Sequence, residues 1–83
     1  MKKIVCSVWD EKLEDFNAPI TFESVGSAIR AFSDEVRRTG DNNVLRDHPE
    51  DFKLYHIADF DSEVHLMFVS VTPPRLLILG VDC

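Results

Sequence analysis

The chain has 83 residues, of which 45% are hydrophobic and 29% charged, and fifteen acidic residues against nine lysines and arginines give a net charge of -6. This composition excludes a disordered or low-complexity chain and is typical of one small folded domain spanning 1–83. The acidic balance disfavours non-specific coating of nucleic acid, because the chain repels a phosphate backbone.

The cysteines and the apolar runs give no indication of export. Cys6 in an apolar stretch and Cys83 at the end of the sequence do not make a disulfide framework. The apolar run 4–9 is too short for a signal peptide, and no run approaches the roughly 20 residues of a membrane span. We therefore expect a soluble protein that stays in the cytoplasm of the cell that makes it, with no membrane partner.

Residues 3–9 predict the first strand, because they are β-branched and aromatic and carry apolar side chains on both faces. Residues 10–22 mix charged residues with Asn17 and Pro19 and predict a loop. This loop is long for a connector, so we expect it to contain a short extra turn or strand.

Residues 24–39 predict an amphipathic helix, with Ser24 as its N-cap and Gly40 at the left-handed C′ position. The apolar face has a spacing of 3.6 residues and consists of Val25, Ala28, Ile29, Phe32 and Val36. On the polar face, Arg30–Asp34 and Asp34–Arg38 are four residues apart and are expected to form ion pairs. The alternative is that this face contacts phosphate through Arg30, Arg37 and Arg38, aided by Lys2 and Lys3.

Residues 41–47 predict a polar loop and residues 48–51 a turn, because Pro49 fixes its own φ and the acidic pair Glu50-Asp51 favours solvent. The next strand follows, with apolar residues in the two-residue alternation of a half-buried strand. Those expected in the core are Phe52, Leu54, Ala58 and Phe60.

A second strand is predicted at 63–70, joined to the first by a three-residue turn at 60–62. This register places Ala58, His56 and Leu54 opposite Val64, Leu66 and Phe68. The other face is then too apolar for water and is expected to meet another chain or the C-terminal tail; it holds Tyr55, Ile57, His65, Met67 and Val69. Pro73-Pro74 predicts a break, and residues 76–79 a fourth strand at a sheet edge that ends at Gly80.

These elements predict an α+β fold in β-α-β-β order, with one amphipathic helix packed on a three- or four-stranded, mainly antiparallel sheet. A chain of this size has little core, so we expect a homodimer.

No pattern in the sequence predicts an enzyme, a cofactor or a metal site. A glycine-rich phosphate loop, a cysteine pair at metal spacing and a nucleophile elbow are all missing from the sequence. His56, His65 and Glu63 suggest a metal site on the hairpin, but the predicted register points the two imidazoles to opposite faces.

Several segments together carry a family resemblance. They are Ser7-Val8-Trp9-Asp10, Pro19, Ala28-Ile29-Arg30-Ala31-Phe32-Ser33-Asp34, His48-Pro49-Glu50-Asp51-Phe52, Leu54-Tyr55, Phe60-Asp61, Pro73-Pro74-Arg75-Leu76 and Gly80. In this order they resemble the small nonstructural protein of gokushovirus-type microviruses, which are tailless bacteriophages with single-stranded circular DNA genomes. That family has a longer turn with Thr-Gly after Phe-Asp, so the resemblance implies a shortened hairpin here.

The resemblance implies a nonvirion protein in the cytoplasm of the infected bacterium that acts in genome replication or in the switch to single-stranded DNA synthesis. The acidity favours binding to a protein, either the phage replication initiator or a host replication protein. For this partner surface we select the turn and the second apolar face, namely His48, Glu50, Asp51, Ile57 and Met67.

Two alternatives remain open. The first is direct binding of single-stranded DNA, with Trp9 and Tyr55 stacking on bases and Arg30, Arg37, Arg38, Lys2 and Lys3 contacting phosphates. The second is a small acidic inhibitor of a host factor, whose signature would be one surface stripe formed by the carboxylates of residues 10–15 and 47–51.

Overall fold

The fold is described by a computed structural model for residues 2–63 and 67–83. Its strands are β1 (Lys2–Asp10), β2 (Asp15–Phe16), β3 (Ile20–Phe22), β4 (Phe52–Asp61) and β5 (Phe68–Leu79), and its helices are α1 (Val25–Arg37) and the short α2 (Val44–Asp47). All strand pairs are antiparallel. β1 pairs with β4 on one side and with β2 and β3 on the other, and β5 lies outside β4. The predicted α+β class is confirmed, and the extra strand expected within 10–22 is present as β2 and β3.

Helix α1 covers one face of the sheet. At its start the Ser24 hydroxyl accepts a hydrogen bond from Ser27 N, and the Ser27 hydroxyl accepts one from Ser24 N, which is a capping box. Burial of one helix stripe against β1 and β4 creates the core, which consists of Ala28, Phe32, Val36, Cys6, Phe52 and Leu54. The predicted helix and its cap are therefore confirmed.

The end of α1 differs from the prediction. Its C-cap is Arg38, so Gly40, which has φ +118°, lies beyond the C′ position. Asn43 caps the helix instead: it is only 2% exposed, and its Nδ2 donates to the carbonyls of Glu35 and Arg38 at 2.7 and 2.9 Å. Its Oδ1 also accepts from Arg46 N at 3.3 Å and starts α2, where only a loop was predicted.

A β-bulge at Ile57 divides β4. Cys6 is opposite His56 but Val5 is opposite Ala58, so Ile57 has no partner in β1. One extra residue exchanges the two faces of a strand. Consequently Phe52, Leu54 and His56 face α1, whereas Ala58 and Phe60 lie on the open face of the sheet, opposite to α1. The prediction that Ala58 and Phe60 share the core face with Phe52 and Leu54 is wrong.

The hairpin register also differs. Phe68 pairs with Phe60 rather than Leu54, and Ala58 pairs with Ser70, so the turn is longer than three residues. Ser62 and Glu63 lie in this turn. The predicted partners Val64 and Leu66, and His65, which was predicted on the other face, fall outside the described residues. Val69, predicted on the face of Tyr55, pairs with Asp59 and lies on the α1 side.

Strand β5 continues through Pro73-Pro74, where a break was predicted, so residues 76–79 are its end rather than a fourth strand. Residues 71–74, with a cis Thr72–Pro73 bond, form an excursion opposite Ile57 and have no register partner in β4. Pro73 and Pro74 have no backbone N–H, but no hydrogen bond to β4 is lost because these residues are not paired with β4.

Candidate partner-binding surface

Three aromatic rings gather on the open face of the sheet. The ring centroids of Trp9 and Phe16 are 5.1 Å apart and those of Phe16 and Tyr55 are 5.6 Å apart, both in edge-to-face geometry. Together with Pro74 they line a groove of about 280 Å³, which we call the aromatic groove. Trp9 and Tyr55 reach it because alternate residues of two paired strands share a face, and β2 brings Phe16 beside Trp9.

An acidic surface borders this groove. Glu11 N donates to Asp51 O at 2.8 Å, so the β1–β2 turn lies against the turn that precedes β4. The carboxylate-bearing residues of these two segments, which we call the acidic edge, are Asp10, Glu11, Glu14, Asp15, Asp47, Glu50 and Asp51. The two acidic segments, 10–15 and 47–51, which the sequence suggested as one surface stripe, are therefore neighbours in the structure.

Glu11 connects the acidic edge to the aromatic groove. Its Oε2 accepts a hydrogen bond from Trp9 Nε1 at 2.8 Å and lies 3.7 Å from Lys53 Nζ. The turn is held by Asp10, whose Oδ1 accepts from Lys12 N and Leu13 N at 3.0 and 3.3 Å. The acidic turn is therefore fixed in position next to the rings.

The residues predicted to bind a partner do not form one cluster. His48, Glu50 and Asp51 lie together on the acidic edge, with His48 Nδ1 3.7 Å from Glu50 Oε1. One ligand atom from each of these three lies within 4.8 Å of the others, so this turn is where the described residues could hold a cation. Ile57 occupies the bulge, and Met67 lies beyond the far end of β4, roughly 30 Å along the strand from the turn.

The residues predicted to bind nucleic acid are also divided. Trp9 and Tyr55 meet in the aromatic groove, but Lys2 and Lys3 are at the opposite end of β1, about 20 Å from Trp9. Lys3 Nζ lies 3.4 Å from Glu23 Oε1. The structure does not bring these lysines to the aromatic rings.

Arg30 and Arg37 lie on α1 and Arg38 is its C-cap, across the sheet from the groove. Two of them form ion pairs with a carboxylate three residues earlier in the chain: Arg37 with Asp34 at 3.2 Å, and Arg38 with Glu35 at 2.9 Å. The predicted ion pairs were four residues apart. Arg30 is exposed on the same helix. Carboxylates thus neutralise part of the basic face.

Two titratable groups are buried under α1. His56 is 5% exposed and bonds to Asp59, while its Nδ1 has no partner within residues 2–63 and 67–83. Burial raises the pKa of the Cys6 thiol to about 11, which keeps it protonated. A mainly apolar pocket of about 410 Å³ opens beside Cys6; Cys6, Phe32 and Leu54 form its buried wall, and exposed residues, among them Ile20 and Ala31, form its rim.

Sequence reasoning missed Phe16 as part of the site and included Glu11 only as one carboxylate of the acidic stripe, because both residues lie in the segment predicted as a loop. The available signal was an aromatic residue within an acidic turn, since such a residue has to pack on something nearby.

Comparison with known protein families gives a match. The model of a protein family described as "Phage ORF5 protein" matches residues 3–83. The search of curated proteins and the search of solved structures found no match. In the described part of the chain, neither helix has the length and apolar character needed to cross a membrane.

Proposed function

The chain belongs to the Phage ORF5 protein family and is a small phage protein, and from this premise we propose that it is a nonvirion accessory protein of genome replication. It acts in the cytoplasm of the infected bacterium, without catalysis, by binding the phage replication initiator or a host replication protein. The resemblance to microvirus nonstructural proteins supports the link to single-stranded DNA synthesis.

One observation carries the choice of a protein partner: the acidic edge is continuous with the aromatic groove. Aromatic side chains are enriched in protein interfaces, and carboxylates around them steer a basic partner into place. The same carboxylates repel a phosphate backbone.

Capture of partners from infected cells tests this proposal. Tagged wild-type protein is expected to retain a replication protein, identified by mass spectrometry, both with and without nuclease treatment. The double variant Glu50→Gln/Asp51→Asn should lose most of it, whereas the control Asp34→Asn, which removes a carboxylate on α1, should retain it. Capture that disappears on nuclease treatment, or no replication protein among the captured chains, contradicts the proposal.

Direct binding of single-stranded DNA is a second candidate, favoured by Trp9 and Tyr55 in one groove on an open sheet face. Bases stack on such rings with little sequence preference. Oligothymidine should then quench Trp9 fluorescence at low salt, with affinity falling steeply as salt rises. No binding at low salt would exclude this candidate.

Inhibition of a host factor is a third candidate, favoured by the contact between the two acidic segments. A chain that imitates the charge of DNA competes with DNA for its target. The captured protein would then bind DNA by itself and release it when the phage protein is added. If it does not release DNA, this candidate is excluded.

Self-association through β5 is part of the proposal. This edge strand and the residue before it expose large apolar side chains, among them Met67 (47%), Phe68 (63%) and Val69 (52%). Exposed apolar groups along a sheet edge favour pairing with a second chain. We propose a homodimer that buries them.

A further inference from the structure

The aromatic groove has the electrostatic character of a cation receptor. The faces of Trp, Tyr and Phe rings carry partial negative charge and attract an ammonium or guanidinium group. Trp9, Phe16 and Tyr55 surround one open volume with Pro74, and neighbouring rings are turned 69° and 86° to each other. The planes of neighbouring rings are therefore far from parallel, so the ring faces around the groove point in different directions.

Glu11 adds a formal negative charge to the rim of this groove. Its contacts with Trp9 Nε1 and Lys53 Nζ both use Oε2. Among the described residues no hydrogen bond to Glu11 Oε1 occurs, so this oxygen can accept from an external donor. The indole N–H bond also fixes the Trp9 ring relative to the carboxylate.

The surroundings of the groove favour a positive ligand over a neutral or negative one. Residues 10–15 contain four carboxylates and one lysine. The Lys53 ammonium offsets one of these charges and leaves the turn acidic. Nucleotide phosphates would meet this negative field, and a neutral proline segment would gain nothing from it.

We propose that the aromatic groove and Glu11 bind the side chain of an arginine or lysine in a basic segment of the partner protein. The cation lies against the rings of Trp9 and Tyr55 and donates to the Glu11 carboxylate. This inference rests on the proposed function and names the chemistry by which the partner is recognised.

Intrinsic fluorescence tests the inference directly, because Trp9 is the only tryptophan in the chain. The probes are short peptides with two arginines, the same peptides with lysine, and neutral versions with citrulline, which keeps the shape of arginine without its charge. Arginine and lysine peptides should perturb the Trp9 emission, and citrulline peptides should bind about tenfold more weakly. Equal binding of citrulline, stronger binding of oligothymidine, or no change with any cationic peptide overturns the proposal.

Two variants locate the binding. Glu11→Gln keeps the shape of the rim and should weaken arginine-peptide binding about three- to tenfold, and Tyr55→Leu should weaken it by a similar factor. The control Asp34→Asn removes a carboxylate from α1 and should leave binding unchanged. Thermal melting of each variant shows that the chain remains folded. Unchanged affinity in both variants overturns the proposal.

Partner capture separates this inference from the proposed function. Suppose that Glu11→Gln still captures a replication protein and that cationic peptides fail to bind wild type. The inference about the groove is then wrong, and the proposed function stands. Conversely, peptide binding without any captured replication protein supports the groove and contradicts the role in replication.

Discussion

His56 Nε2 lies 2.8 Å from Asp59 Oδ1, although the two residues are three apart on one strand. In a regular strand such residues point to opposite faces of the sheet. The bulge at Ile57 adds one residue between them and brings both side chains to the face covered by α1. His56 Nε2 thus has a hydrogen-bond partner only because the bulge makes the strand irregular.

Removal of the Asp59 carboxylate should destabilise the fold. Asp59→Ala leaves Nε2 of the buried imidazole without its partner and is expected to lower the free energy of unfolding by about 1–3 kcal/mol. Asp59→Asn keeps an acceptor oxygen and should lose less. Urea denaturation followed by circular dichroism measures both values, and equal losses would show that the hydrogen bond is not the cause.

Gly80 is required by a close backbone approach. A Cβ at this position would lie 2.2 Å from Pro49 O and 3.0 Å from Phe52 O, so the turn before β4 would have to move. Gly80→Ala should therefore cost about 1–3 kcal/mol. The control Gly26→Ala, in the first turn of α1 with only Ser24 Oγ nearby at 3.8 Å, should be neutral or stabilising by up to about 1 kcal/mol. Thermal melting should show a lower melting temperature for Gly80→Ala only, and an equal decrease in both variants would contradict the close approach as the cause.

Asn43 should be sensitive to loss of its amide donors. Asn43→Asp keeps an oxygen for the cap of α2 but faces the carbonyls of Glu35 and Arg38 without an N–H to donate. The expected loss is about 2–3 kcal/mol, because both carbonyls lose their shorter hydrogen bond and a charge is introduced at a buried position that faces them. The same change at the exposed neighbour, Asn42→Asp, should alter stability by less than about 0.5 kcal/mol. Similar losses at both positions in urea denaturation would contradict this role of Asn43.

The buried Cys6 thiol should make the fold sensitive to alkaline pH. Its pKa is raised from 9.0 to about 11 because burial disfavours the thiolate. The folded state therefore holds the proton more tightly, and this stabilisation is complete below pH 9 and is lost as pH rises through 11. The loss is about 2–3 kcal/mol by linkage. Denaturation at pH 8 and pH 11 should show a steeper decline for wild type than for Cys6→Ala, and parallel declines would contradict the assignment.

If the chain forms the proposed homodimer, substitutions at the exposed end of the hairpin should lower its mass in solution. The double variant Met67→Gln/Val69→Thr removes apolar groups that a second chain would cover and should shift sedimentation from dimer toward monomer. Val81→Thr changes an equally exposed residue outside β5 and should leave the mass unchanged. A wild-type chain that sediments as a monomer at high concentration contradicts self-association.

The elements with a strong local pattern were predictable. The apolar stripe and serine cap of α1 belong to one continuous segment, and the two-sided apolar character of β1 follows from its central place in the sheet. The turn at Pro49 was also predicted correctly. In the candidate site, the sequence pointed to Trp9 and Tyr55 and to the two acidic segments, but it could not show that they are neighbours.

Sequence by itself determined the α+β class, the helix and the identity of the acidic and aromatic residues, because these depend on periodicity, capping and composition within short segments. Tertiary structure alone decided the bulge at Ile57, the hairpin register, the continuation of β5 through its prolines and the junction of the aromatic groove with the acidic edge. The physical reason is that each of these depends on contacts between segments distant in sequence. A one-residue bulge leaves no mark in local alternation, yet it exchanges the faces of every residue beyond it and so places Asp59 beside His56 and Phe60 on the open face.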